Sequence, residues 1–257
     1  MVAFLTLLER ECRRFMKVIV QTVVTPFVSS FLYLLVFGVS LGAAVELKNG
    51  VPYLSFLVPG LMMMALINNS FQNSSSSIVS SKFSGDIEDL AVVPLTDNQI
   101  IWALGLGALL RGVLVALVTL AVGEVFHDQQ LGVWLPVAHP LYLLYFTLVG
   151  GLLFAFLGIS VAFWSKGFEH LSAFSSFVLL PLTYLGGVFI SVESLSPFWQ
   201  QVSRLNPLLY LINGFRYGML GVSDVEITQS LLVSFLGLLV FYVMARISLS
   251  RGSFQRW

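Results

Sequence analysis

Charge is scarce in this chain. Its 257 residues carry 13 basic and 13 acidic side chains, 10% of the total, where an average soluble domain carries about 25%. Apolar residues make up 57% and the mean hydropathy is +0.91. A soluble globule of this length could not hide so much apolar surface, so an ordinary soluble enzyme is excluded. The formal charge sums to zero. No basic excess exists to neutralise phosphates, which excludes a nucleic-acid partner. Cysteine is almost absent. Cys12 alone makes no internal disulfide, and a Cys-rich zinc site is excluded. Glycine-lysine pairs are missing too. The lysines at 17, 48, 82 and 166 follow Met16, Leu47, Ser81 and Ser165, so no Walker A phosphate loop exists and the chain is not expected to hydrolyse ATP itself. His127, His139 and His170 read as solvated loop residues without metal-ligand spacing. Gly158-Ile159-Ser160 beside His170 could suggest an intramembrane serine protease, but the serine falls in a span and the histidine in a loop. No catalytic, cofactor-binding or metal-ligating residue is therefore expected.

What is present is a series of long apolar runs. A helix crosses the hydrocarbon core with about 20 apolar residues. Six stretches qualify: Val23–Ala44, Tyr53–Ser75, Gln99–Val122, Leu141–Trp164, Leu171–Ser191 and Ile227–Ile247. They lack the alternation of barrel strands. The run from Val18 to Val45 is too long for a cleaved signal's apolar segment and reads as a retained span. The fold class expected is all-α, a polytopic membrane protein forming one domain over residues 1–257.

With the N-terminus inside, nine bases fall on the inner side: Arg10, Arg13, Arg14, Lys17, Lys82, Lys166, Arg246, Arg251 and Arg256. Lys48, Arg204 and Arg216 fall outside, and Arg111 lies within a span. The positive-inside rule then places both termini in the cytoplasm.

Residues 3–20 read as an interfacial helix. Arg10, Arg13, Arg14 and Lys17 share one side, and Phe4, Leu5, Leu8, Cys12, Phe15 and Ile19 the other. Such a helix lies in the headgroup plane, its bases toward anionic lipid or a cytosolic partner. Residues 80–98 form a polar inner loop. Gly85 can end one helix, Asp86 can cap a short one from Ile87 to Val92, and Pro94 stops it. Ile87 and Leu90 share a face of that helix. From chemistry alone it is either a docking element or a solvated turn.

Asn69, Gln72, Asn73 and Ser76 occupy one face at the end of the second span. Polar groups at this depth must find partners or line a wet cavity. They are either interhelical glue or a translocation surface. Arg111 is expected to face protein or snorkel inward. Phe174, Phe177, Pro181 and Tyr184 recur at helical spacing in the fifth span, as packing or as a greasy wall. Residues 190–225 are too interrupted to span and read as a re-entrant or surface hairpin on the outer side. Phe198, Trp199, Tyr210 and Tyr217 would sit at headgroup level. Arg216 would pair with Glu193 or Asp224, or meet an anionic headgroup.

Several strings together resemble one family. Gly85-Asp86-Ile87-Glu88-Asp89-Leu90-Ala91-Val92-Val93-Pro94-Leu95 is similar to the first cytoplasmic loop of ABC-2 type transport permeases. Val58-Pro59-Gly60-Leu61-Met62-Met63, Pro181 through Phe189, Pro197-Phe198-Trp199 and Asn206 through Gly218 resemble further segments of those permeases. The resemblance implies a homodimeric permease paired with two copies of a separate cytosolic ABC ATPase, which would bind the ATP and Mg. It implies an ATPase-coupling contact at Phe83, Asp86, Ile87, Glu88, Asp89 and Leu90, with Arg10 and Arg14 adding to it. It is consistent with a translocation surface of Asn69, Gln72, Asn73, Phe174, Phe177 and Tyr184, and with an outer gate of Phe189, Asn206 and Arg216. Bases often precede the coupling motif in the family; here only Lys82 does. The expected protein is a bacterial inner-membrane exporter of an amphiphilic, lipid-linked or drug-like substrate, with membrane lipid around it. A gradient-driven transporter or channel expects a mid-membrane acid, and none is present within a span. A non-transporting membrane scaffold is the remaining alternative.

Overall fold

The computed structural model describes residues 2–41, 50–86 and 94–251. All regular structure among the described residues is helical. α1 covers Val2–Met16, and α2 covers Ile19–Tyr33 and continues as a wider π-helical stretch, Leu34–Leu41. α3 is Tyr53–Ser84, α4 Asp97–Leu131 and α5 Pro140–Trp164. α6 is the helical run 168–185, built from Phe168–Phe174, a π-helical stretch Ser175–Leu179, and Leu180–Leu185. A 3-10 turn, Val192–Ser194, precedes α7 (Pro197–Arg204) and α8 (Pro207–Leu220). α9 is Ile227–Arg251.

Five helical segments are long and apolar enough to cross a membrane: Ile19–Ser40, Tyr53–Ser84, Asp97–Leu131, Pro140–Trp164 and Ile227–Arg251. They correspond to the first, second, third, fourth and sixth expected spans. α6 is shorter. Pro181 has no N–H to return to the preceding turn, and the helix widens just upstream of it.

α3 is the central helix, packed along its length against α4 and α5. Its core side chains include Leu57, Met63, Leu66, Ile67 and Phe71, all essentially buried. Ser74 Oγ donates to the Ala155 carbonyl of α5 at 2.8 Å. Such interhelical bonds replace the hydrophobic drive that apolar lipid removes. α2 and α9 lie at the periphery, with most of their apolar side chains exposed.

Two helices overshoot the expected spans. The 32 residues of α3 make about 48 Å of helix and the 35 of α4 about 52 Å, against a hydrocarbon core of about 30 Å. Gly85 ends α3 as expected, in the left-handed region at φ 88°, with its N–H on the Ser81 carbonyl. Thr96 starts α4 through a reciprocal capping box with Gln99. The α3 end and the α4 start thus form a paired projection carrying the loop between them. The other end of α4 holds a correction. His127 is not a loop residue. It lies inside the helix, buried, with Nδ1 on the Val133 carbonyl and Nε2 on Ser55 Oγ at 2.9 Å, because α4 continues nine residues beyond the expected Val122.

Candidate functional site

At the end of the bundle that carries α1, polar side chains of three helices converge. α1 is amphipathic, but its buried row is Leu7, Glu11 and Phe15. That row lies between the basic and apolar faces, so Leu5 and Met16 remain exposed. Gly107 of α4 makes this docking possible. A Cβ there would stand 2.7 Å from the Glu11 Cβ.

The Glu11 carboxylate is closed off from solvent and accepts three groups. Ser77 Oγ of α3 donates at 2.9 Å, Arg10 at 3.2 Å and Arg14 Nε at 3.2 Å. Arg14 also donates to the carbonyl and the Oδ1 of Asn73, the latter at 2.9 Å, and to Ser76 Oγ at 3.2 Å. Burial pushes the Arg14 guanidinium below its usual range, and Glu11 offsets part of that shift. From the other side, Arg111 of α4 reaches the same Asn73 Oδ1 at 3.5 Å. One amide oxygen is therefore shared by two guanidinium groups.

Beside this cluster, α2, α3 and α4 enclose a cleft of about 240 Å³. Asn69, Gln72 and Arg111 line it, opposite a row of hydroxyls on α2 that includes Thr22, Thr25 and Ser29. Four buried polar atoms in this region, Thr22 Oγ1, Ser70 Oγ, Asn73 Nδ2 and Arg111 Nε, lack a hydrogen-bond partner among the described residues.

At the opposite end of the bundle, Arg216 of α8 is wholly enclosed. Its guanidinium lies 3.6 Å from the Phe56 ring centroid and donates to the carbonyls of Phe56 at 3.3 Å and Gly187 at 2.8 Å. Asn213 Oδ1 is within 3.5 Å. These groups make its direct hydrogen bonds, while Asp224, one of the acids expected beside it, acts on it through its charge. Asp224 itself accepts from Ser191 Oγ and the Val192 N–H. Asn206 caps α8 through the Leu208 N–H and donates to the Leu182 carbonyl at 2.6 Å, joining α8 to the end of α6. Phe189 packs in an aromatic group with Tyr33, Phe37 and Tyr184, at centroid distances of 5.6, 5.0 and 5.2 Å. Its carbonyl accepts from Tyr53.

The expected residues thus separate. Asn69 and Gln72 line the cleft with Arg111, while Asn73 faces the α1 network. Phe174 stacks on Phe71, and Phe177 points outward, 80% exposed. Tyr184 joins the aromatic group around Phe189. Arg10 and Arg14 pair with Glu11 on their own helix, and α1 is joined to α3 by Glu11 with Ser77 and by Arg14 with Asn73 and Ser76. Phe83 is exposed at the tip of α3, and Asp86 accepts from Ser84. Ile87, Glu88, Asp89 and Leu90 lie outside the described residues. Lys82 turns inward, its Nζ donating to the Ala162 and Phe163 carbonyls at the end of α5.

Glu11 and the α2 hydroxyls were not anticipated. Both leave a sequence signal. Glu11 has Leu7 and Phe15 at i−4 and i+4, a carboxylate set in an apolar row. Gln21, Thr25 and Ser29 repeat every fourth residue in an otherwise apolar run.

The family model for "ABC-2 type transporter" matches residues 2–220, a stretch that takes in α1, the cleft and the Arg216 pocket. The chain belongs to the ABC-2 type transporter family. Among its relatives, "Inner membrane transport permease YadH" of Escherichia coli (strain K12) is 38% identical over 251 residues, covering 98% of this chain and 96% of the relative. "Nodulation protein J" of Neorhizobium galegae is 28% identical over 217 residues, covering 81% of this chain and 77% of that protein. Membership of the ABC-2 family makes this the membrane subunit of an ABC transporter and implies a partnering ABC ATPase.

Proposed function

We propose that the chain is the permease of an ATP-driven exporter that moves an amphiphilic, lipid-linked or drug-like substrate outward across a bacterial inner membrane. The observation that carries this reading is the polar cleft of Asn69, Gln72 and Arg111 inside an apolar helix bundle of this family. Polar surface at membrane depth is retained where it lines a path or binds. The name of the Escherichia coli relative supports the inner-membrane assignment.

In this reading α6 is the fifth of six spans, completed by membrane thinning or by oligomerisation. α7 and α8 form the outer hairpin, with Phe189, Asn206 and Arg216 as its gate. The α1 end is cytoplasmic, with both termini there. Two permeases pair, and each receives one ATPase, which binds ATP and Mg. The paired projection of α3 and α4 brings Phe83 and Asp86 to its tip, and the segment 87–90 between them docks on the ATPase. Closure of the two ATPases around ATP would then move the projections and rock the permease halves.

Reconstitution tests the reading. The purified permease with its co-purifying ATPase, in proteoliposomes, is expected to move a fluorescent amphiphile only when ATP is added. Flux that runs without ATP and follows a proton or sodium gradient would replace the exporter by a secondary transporter.

A further inference from the structure

Among the described residues no acidic side chain pairs with Arg111. Arg10 and Arg14 flank the Glu11 carboxylate at the α1 end of the bundle, and Arg111 meets Arg14 at Asn73 Oδ1. That carboxylate is already bonded to Arg10 and Arg14. Arg111 keeps only a long bond to Asn73 Oδ1, an atom that Arg14 holds at 2.9 Å. Its Nε is buried without any partner among the described residues. A desolvated guanidinium beside a second one is costly unless an anion joins them. No acidic side chain among the described residues lines the cleft that Arg111 faces.

The cleft has a gradient along its length. On α3 the lining passes from Leu61 and Met64, through Asn68 and Asn69, to Gln72. Leu61 to Gln72 is about 16 Å of helix. On α2 it passes from Tyr33 down to Thr25 and Thr22. The apolar end can take hydrocarbon. The polar end offers amide and hydroxyl donors around a guanidinium fork, which matches an oxyanion. Thr22 is 1% exposed, lines the cleft and leaves its hydroxyl without a partner among the described residues.

We propose that the cleft binds the oxyanion head of an amphiphile, with Arg111 as its anchor and the chain's Leu61–Met64 end taking the tail. This names the substrate class of the cleft and rests on the export reading above. The shared chemistry is the oxyanion, which a membrane-dissolved amphiphile or free phosphate in water could each supply; the apolar end of the cleft selects the former.

The test uses the full chain in phosphatidylcholine nanodiscs, titrated with a short-chain fluorescent phosphatidic acid, with matched phosphatidylcholine and inorganic phosphate as competitors. Phosphatidic acid is expected to bind, to resist both competitors, and to weaken by at least about tenfold in Arg111→Gln, the loss of a charged hydrogen-bond donor. Thr25→Phe guards against misfolding in the first variant. Thr25 is exposed on α2, so the substitution fills the cleft without entering the core, and it too should abolish binding. Equal binding of the two lipids, or unchanged binding in either variant that keeps the wild-type elution profile, overturns the proposal. So does displacement by inorganic phosphate at equal concentration. The assay needs no ATPase. Intact phosphatidic acid binding without ATP-driven flux counts against the export reading alone, and intact flux without lipid preference counts against this site alone.

Discussion

The Arg14 Nε stands 3.2 Å from a carboxylate oxygen of Glu11, and that carboxylate is shut off from solvent. The pair links a helix expected to float at the membrane surface to the interior of the bundle. Glu11 holds α1 against α3 through Ser77, and Arg14 carries the link to Asn73. α1 is therefore a docked helix, bonded to the polar end of α3.

Removing one member of this pair should cost more than removing both. Glu11→Gln leaves Arg14 half-buried without its anion. Breaking a buried pair costs about 3–5 kcal/mol, while replacing both members is often close to neutral. Glu11→Gln is expected to lower the thermal transition of the purified protein. The double variant Glu11→Gln with Arg14→Gln should recover part of the loss. Additive effects of the two substitutions would mean that the pair contributes nothing as a pair.

Cys12 sits beside Glu11 on the same helix. Burial pushes its thiol above the usual range, and the carboxylates of Glu11 and Glu9 add to the rise. Only the thiolate is nucleophilic. Maleimide labelling at neutral pH should be slower than for an unhindered peptide thiol, and should climb with pH beyond the point where the peptide levels off. Glu9→Gln removes one of those charges and should speed the reaction at fixed pH. A rate equal to that of the peptide across the pH range would mean that the thiol is neither buried nor repelled.

The long helices were legible in the sequence, because apolar runs of about 20 residues have few other uses. Their ends were not. α3 and α4 continue through Lys82 and His127, polar residues that look like loop from sequence alone. Each finds a partner that sequence cannot reveal: the α5 carbonyls for Lys82 and Ser55 with Val133 for His127. The face with Asn69 and Gln72 was readable from helical spacing. Its role was not, because the opposing hydroxyls come from α2, some 45 residues earlier. Arg216 shows the limit most clearly. Asp224, nearby in sequence, does act on it through charge, yet its hydrogen bonds go to carbonyls that only the fold supplies.

Arg216 should tolerate no substitution well. It lies on the Phe56 ring and bonds two carbonyls from separate segments. Arg216→Lys keeps a charge but loses the planar fork and the stacking. It also leaves at least one buried carbonyl unmade, at about 1–3 kcal/mol. Both Arg216→Lys and Arg216→Ala are expected to reduce the yield of monodisperse protein and to lower its thermal transition, the alanine variant more. A wild-type transition in Arg216→Lys would show that charge alone is what the pocket requires.

The tip of the α3 and α4 projection makes a sharper prediction about the partner. Phe83 is 68% exposed there, on helix that outruns the hydrocarbon core by about 18 Å. An aromatic ring left exposed at the end of a helical arm gains by burial against another protein, about 1.5–3 kcal/mol when fully covered. Phe83→Asp should therefore leave the permease folded and reduce the ATPase that co-purifies with it by about tenfold or more, since 1.4 kcal/mol is a factor of ten in affinity. Leu90→Asp, in the segment next to it, should do the same and abolish ATP-driven flux. Arg204→Gln provides the control. Arg204 is exposed on α7, next to the α8 helix that packs at the opposite end of α3 through Arg216 and Phe56, so co-purification should be unchanged. If Phe83→Asp and Leu90→Asp both retain a full complement of ATPase, the coupling contact is not at this tip, and the exposed faces of α1 become the next place to look.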